Sequence, residues 1–198
     1  MEMELLFGED MGMKLLLGDV IAPEPEPPEP SYDETKITLV LLDGSGAETD
    51  TKYLYDGNSS GWTQVWSSMR STSGSKYLMH IGGEITYFEN RYSGGSEFPA
   101  LKKVEIGNGI TAIPGAFFYL CTSLTNVEIP GTVLTIGFNA FWGCTSLAEI
   151  YIPGSVTTIN SSTFEACNSL RTITVNKAEN SISGAPWGAT NATVIWTG

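Results

Sequence analysis

Cys121–Leu147 reads CTSLTNVEIPGTVLTIGFNAFWGCTSL, a stretch that opens and closes on the same tetrad, Cys-Thr-Ser-Leu, 23 positions apart. One period further on the tetrad returns as Cys167-Asn168-Ser169-Leu170, and one period earlier Leu101 stands where Leu124 does. With these leucines as position one, position four holds Val104, Val127, Ile150 and Ile173, and position six holds Ile106, Ile129, Ile152 and Val175. Position ten is Ile110, Val133 and Val156, then Glu179. Position thirteen is Ile113, Ile136, Ile159 and Ile182, and position eighteen is Phe118, Phe141, Phe164 and Trp187. Self-similarity at a fixed period of this size is the mark of a stacked repeat, in which no unit buries its apolar face alone.

The spacing predicts how each unit is built. Positions four and six flank one outward residue, which is the period of a short strand. Pro130 and Pro153 end that strand, and Gly131 and Gly154 let the chain turn. The step of three from Phe to Cys to Leu predicts a helical or 3₁₀ turn on the opposite wall. Each period is then one coil of a right-handed solenoid with short parallel strands along one face. Coils must stack, because burial and the interstrand ladder are shared between neighbours.

These residues resemble the BspA-type leucine-rich repeat, a 23-residue family of bacteria and protists. The likeness runs from residue 101 to about 192, and the closing GAPWGATNATVIWTG resembles the terminal cap of such repeats in gut Firmicutes and their phages. The resemblance implies a surface-exposed adhesion or recognition module without catalysis. It leaves the ligand open, since repeats are scaffolds and function sits in the residues they display.

Upstream, residues 35–100 read as a small α+β cap over the first coil. KITLVLL at 36–42 predicts a strand and Tyr53–Tyr55 a second, while Trp62, Val65, Trp66 and Met69 recur at helical spacing. Tyr77–Ile81 and Ile85–Phe88 flank Gly82-Gly83 as a hairpin would. Leu78, Ile81 and Phe98 fall in the repeat frame one period early, which reads 78–100 as a degenerate first coil. At the other end Ala192–Trp196 predicts a last strand, so 101–198 is the repeat domain with its C-terminal cap.

The chain has 198 residues and a net charge of −12, carried unevenly. Residues 1–34 hold ten acids against Lys14 alone, and Glu24–Pro30 reads EPEPPEP, an extended and solvated spacer. This is an acidic, Pro-rich arm and linker whose apolar patches, Leu5–Phe7 and Leu15–Ile21, predict docking of residues 1–22 onto a virion component or neighbouring subunit. Glu2, Glu4 and Asp19 spoil a secretion signal, with Met1, Met11 and Met13 as alternative starts, and no run of about 20 apolar residues predicts membrane insertion. Expected locations are therefore a virion, a cell surface or the cytoplasm. Scarce Lys and Arg argue against nucleic acid as a partner.

Chemistry-bearing residues are few. His80 has no nucleophilic partner in a recognisable motif, which argues against an enzyme. Cys121, Cys144 and Cys167 form one inward column whose thiols point in parallel, so they read as buried free thiols, and no Cys/His spacing predicts a metal site. Asp43, Glu48, Asp50 and Asp56 lack a calcium-loop spacing and read as a solvated turn. No cofactor is expected. Outward positions carry more: Tyr119 and Trp142 on successive coils predict an aromatic pair about 5 Å apart, and Asn126, Glu128 and Tyr151 point out from the strand face. These five are the candidate ligand-binding residues, for a cell-surface protein or glycan, on a host cell and through a phage tail or virion. The alternative is a structural scaffold of virion or bacterial cell without receptor binding, and homo-oligomers are compatible with either.

Overall fold

Each 23-residue coil buries what the frame predicts it to bury. In a computed structural model that describes residues 37–42, 45, 47–55, 76–82 and 100–198, every apolar side chain of the six columns and all three cysteines is buried in one continuous core. Glu179 alone breaks a column, and it is exposed. The described residues fall in one unit, Tyr32–Gly198.

The chain runs through eleven strands among the described residues, and no helix. They are β1 (Ile37–Leu42), β2 (Glu48–Tyr55), β3 (Lys76–Ile81), β4 (Leu101–Ile106), β5 (Ala112–Ile113), β6 (Asn126–Glu128), β7 (Thr135–Ile136), β8 (Glu149–Ile152), β9 (Thr158–Ile159), β10 (Thr172–Val175) and β11 (Thr193–Trp196). The strand face holds two sheets, ordered β2-β1-β3-β4-β6 and β11-β10-β8. A second wall, formed by β5-β7-β9, is also a parallel ladder, with Ile113, Ile136 and Ile159 in register. The sequence frame identifies the buried isoleucines of this wall but not its hydrogen bonding.

The third wall keeps the i→i−3 turn bonds of the expected 3₁₀ alternative without forming a helix. Ala116, Phe118 and Leu120 donate their amides to Phe138, Ala140 and Trp142 on the next coil, while Tyr119 and Cys121 donate within the coil to Ala116 and Phe118. Amides spent between coils cannot close the i→i−4 bonds of a helix. The backbone instead zigzags through left-handed residues one period apart, Ala116, Asn139 and Ser162, then Leu120, Gly143 and Ala166. Inside this wall Phe118, Phe141 and Phe164 stack with centroids 5.1 and 5.7 Å apart. Trp187 and Trp196 close the column edge to face.

Hydroxyls explain the Thr and Ser of the repeat. Thr125 Oγ1 donates to Lys102 O, Thr132 to Ile110 O, Ser146 to Thr122 O, Ser155 to Val133 O and Thr163 to Gly137 O, each to the coil before it. Cys144 and Cys167 do the same with their thiols, to Phe118 O and Phe141 O. The cysteines are free and buried. Burial pushes the Cys144 thiol far up, and the Cys144 contact followed by burial does so for Cys167.

Upstream, the α+β cap is not supported: the described part is all strand, and the helix expected at Trp62–Met69 lies outside the described residues, as does residues 1–34. The second strand of the hairpin expected between Tyr77–Ile81 and Ile85–Phe88 lies outside the described residues. β3 pairs antiparallel with β1 on one edge and parallel with β4 on the other, so both edges are taken. The first rung also has a different register. Met79 pairs with Val104 and Ile81 with Ile106, a step of 25 residues rather than 23, so Met79 and Ile81 fill the core while Leu78 turns outward, half-buried. β1 is buried on both faces, Ile37 in the core and Thr38, Val40 and Leu42 opposite.

Candidate functional site

The five candidate residues separate onto two surfaces. Tyr119 and Trp142 lie on the turn wall, stacked with centroids 4.8 Å apart and planes 11° off parallel. Both rings are half-buried rather than exposed, so the pair offers its rim more than a platform. Asn126, Glu128 and Tyr151 lie on the strand face, and all three line a groove of about 440 Å3 together with Thr125, Val127, Ile129, Glu149, Ile150 and Thr174.

The groove exists because the ladder stops there. β6 pairs with β4 and β8 with β10, yet no ladder joins β6 to β8. The opening is local. The segments that lead into β6 and β8 are tied by Ser146 on Thr122 O, at 2.6 Å, and those that leave them by Ser155 on Val133 O, at 2.7 Å. The β7–β9 ladder and the bond from Phe141 N to Thr163 O hold the other walls shut along the stack. Thr125 bonds Lys102 O with both amide and hydroxyl, whereas its counterpart Ala148 carries no hydroxyl.

Peptide groups of a strand alternate sides. Ile152 O accepts from Asn176 N on the following coil, so Glu149 and Tyr151 turn their amides back toward β6, where no ladder receives them. The floor is apolar, made by Val127, Ile129 and Ile150, and the rim is polar. Tyr151 is 49 % exposed, one of four large hydrophobic side chains left open among the described residues.

Ionic contacts run along the same face. Lys103 on β4 reaches Glu105 at 2.6 Å and Glu128 at 2.7 Å, and His80 on β3 lies 3.0 Å from Glu105. Hydrogen bonding from His80, then from Lys103, outweighs partial burial and lowers the Glu105 carboxyl to about 2. Burial works against the Lys103 ammonium, but its bonds to Glu105 and Glu128 raise it above the usual lysine range. Glu149 makes no ion pair among the described residues. Glu149 sits in the outward column the sequence frame defines, and its open exposure beside Tyr151 is the signal that adds it to the site. Among the described residues no group of three or more metal-ligating side chains converges.

Comparison with known proteins agrees with the repeat geometry. Residues 96–193 match the family described as BspA type Leucine rich repeat region, in six copies. That span holds four full 23-residue periods, so the copies are not six separate coils. Among solved structures, a leucine rich cell surface protein from Faecalibacterium prausnitzii A2-165 is 21 % identical over 64 % of this chain and 37 % of its own, with a TM-score of 0.49. A leucine-rich repeat protein from Bacteroides ovatus ATCC 8483 is 27 % identical over 59 % of this chain and 30 % of its own, with a TM-score of 0.38. The T. pallidum Leucine Rich Repeat protein is 17 % identical over 62 % and 74 %, with a TM-score of 0.43. The match thus spans just over a third of the first of these proteins. No curated protein matches the chain significantly. Through residues 96–193, this chain belongs to the BspA-type leucine-rich repeat family.

Proposed function

We propose that the chain is a non-enzymatic recognition module that binds a cell-surface protein or glycan through its strand face. The observation that carries this reading is the β6–β8 groove, where the stack opens on one wall only and three of the five candidate residues meet. Its make-up is mostly polar, with Thr125, Asn126, Glu128, Glu149 and Thr174 around one open aromatic ring, Tyr151, which gives it groups to orient a ligand. The stacked Tyr119–Trp142 rim is a second contact of the same module. In this reading the solenoid is displayed at a virion or cell surface and residues 1–34 hold it there. No helix among the described residues is long and apolar enough to cross a membrane.

The test compares two double variants, Glu128→Gln with Tyr151→Ser, and Tyr119→Ser with Trp142→Ser, on a printed glycan array and on immobilised surface-protein extracts of gut bacteria and epithelium. The wild-type chain binds a subset of these, and the groove variant loses that binding with melting and circular dichroism near wild type. Binding that neither variant changes, or no binding at all, overturns the reading and leaves a structural scaffold in its place.

A further inference from the structure

We propose that the outer edge of β11 joins a second copy of this chain, strand to antiparallel strand, about a two-fold axis at Ile195. The backbone leaves that edge ready to pair. Thr193 and Thr197 donate their amides to Arg171 O and Val175 O on the β10 side, so alternation along the strand turns the amides and carbonyls of Val194 and Trp196 the other way. Among the described residues β11 ends its sheet, ordered β11-β10-β8, and no strand takes those groups. Natural edges are guarded by lysine, proline or a bulge. β11 reads TVIW and follows β10 without a register shift, so it carries none of these.

Self-complementarity selects a second copy over a foreign strand. Centred on Ile195, antiparallel pairing sets Val194 against Trp196 of the second copy and Trp196 against its Val194, the residues whose peptide groups are open, and each pair exchanges both of its N–H···O bonds. The same register matches the side chains: half-buried Val194 and Trp196 meet on the inward side, and Ile195, 46 % exposed, meets itself on the outward side. Charge points the same way. The chain carries −12, yet the outward residues of β10 and β11 are Thr172, Thr174, Thr193 and Ile195, and residues 176–198 hold one base, Lys177, and one acid, Glu179. The outward carboxylates Glu105, Glu128 and Glu149 lie on β4, β6 and β8, so two acidic copies meet at the neutral end of the strand face. The contact is isologous and closes on itself. It continues the row Tyr151, Thr174 and Ile195, already in register across β8, β10 and β11, into the same row of the copy, so that two 3-stranded sheets become one face.

Sedimentation equilibrium of the full chain over a wide range of concentration should show a reversible monomer–dimer equilibrium, weak because the paired edge is short. Ile195→Lys sets two like charges opposite each other on the axis and should raise the dimer dissociation constant at least about tenfold. Melting of the dilute variant stays near wild type, because Ile195 points outward. Register is read by cysteine cross-linking. Opposed residues of a non-hydrogen-bonded antiparallel pair have Cα atoms about 4.5 Å apart, within reach of a disulfide, so Ile195→Cys should oxidise to a covalent dimer. Thr193→Cys should not, since it is offset from its counterpart by four positions, about 14 Å along the strand. The native cysteines are buried and stay silent. A chain that is monomeric at every concentration, a dimer indifferent to Ile195→Lys, or cross-linking at Thr193→Cys as efficient as at Ile195→Cys each overturns the proposal.

Discussion

Nδ1 of His80 donates to Oε2 of Glu105 across 3.0 Å, bonding the last strand before the regular repeats to the first strand within them. Since Glu105 also takes Lys103, and Lys103 takes Glu128, one chain of charge runs over β3, β4 and β6 up to the edge of the groove.

That chain gives a pH prediction. The Glu105 carboxyl is depressed to about 2 when folded, so its stabilisation is full above the ordinary carboxylate value, about 4.3, and is lost as pH falls through the folded value. Both partners are partly exposed and solvent-screened, which sets the scale at about 1 kcal/mol. Glu105→Gln should lower unfolding stability by about 1 kcal/mol at pH 7. The gap should close between pH 4 and pH 2, read by urea titration at each pH. A gap that does not depend on pH would mean that the carboxylate is not the source.

Phe141 and Trp142 are neighbours with opposite duties. Phe141 is fully buried between Phe118 and Phe164, whereas Trp142 is half-buried against Tyr119. Phe141→Ala should cost about 3–5 kcal/mol, and Trp142→Ala about 1–2 kcal/mol. Equal losses in denaturant midpoints would place the repeat frame one residue off.

Two glycines test how closely the coils approach. A Cβ on Gly137 would fall on the backbone nitrogen of Gly115 one coil away, while a Cβ on Gly131 meets nothing within 4 Å. Gly137→Ala should therefore cost at least about 2 kcal/mol. Gly131→Ala should be neutral or stabilise by up to about 1 kcal/mol, through loss of unfolded-state entropy. Thermal melts of both variants decide this, and similar shifts in the same direction would contradict the stacking distance.

The cysteine column predicts chemical silence. Cys121, Cys144 and Cys167 are buried, and Cys144 and Cys167 donate to carbonyls of the preceding coil. A thiol reagent such as dithiobis-nitrobenzoate should label none of them in the native protein and all three in guanidinium, with no change on reduction. Rapid native labelling at pH 8 would show that the wall opens without global unfolding.

Much of this architecture is legible in Cys121–Leu147 alone, because a residue that recurs every 23 positions reports burial directly. Ile136, Phe141 and Cys144 are core for that reason, and Glu179 marks where the pattern ends. Hydrogen bonding between coils is not written in hydrophobicity, so the β5-β7-β9 ladder leaves no mark on the pattern, and the spacing that predicts a helical or 3₁₀ turn over Phe118–Leu124 finds its i→i−3 bonds but not those that run to the next coil. The 25-residue step between Met79 and Val104 was hidden for a related reason: Leu78 mimics a frame position while Met79 fills it. Of the site, the outward columns located Asn126, Glu128 and Tyr151, since alternation along a strand is local, whereas Glu149 is singled out only by its exposure in the structure. Nothing in those residues tells that the ladder between β6 and β8 stays open, because Val127 and Ile150 are as strand-forming as their paired counterparts Val104 and Ile173.

The open seam is therefore the claim to test first, and amide hydrogen exchange of Glu149 and Tyr151 against Thr172 and Thr174 does so residue by residue. The latter pair occupy the same positions one coil later and lie in the formed β8–β10 ladder. The account predicts that Glu149 and Tyr151 exchange faster by about a factor of ten or more, in a stack whose other walls stay protected. Equal protection of the two pairs would mean that β6 and β8 are laddered in solution and that the groove, with the recognition site built on it, does not exist.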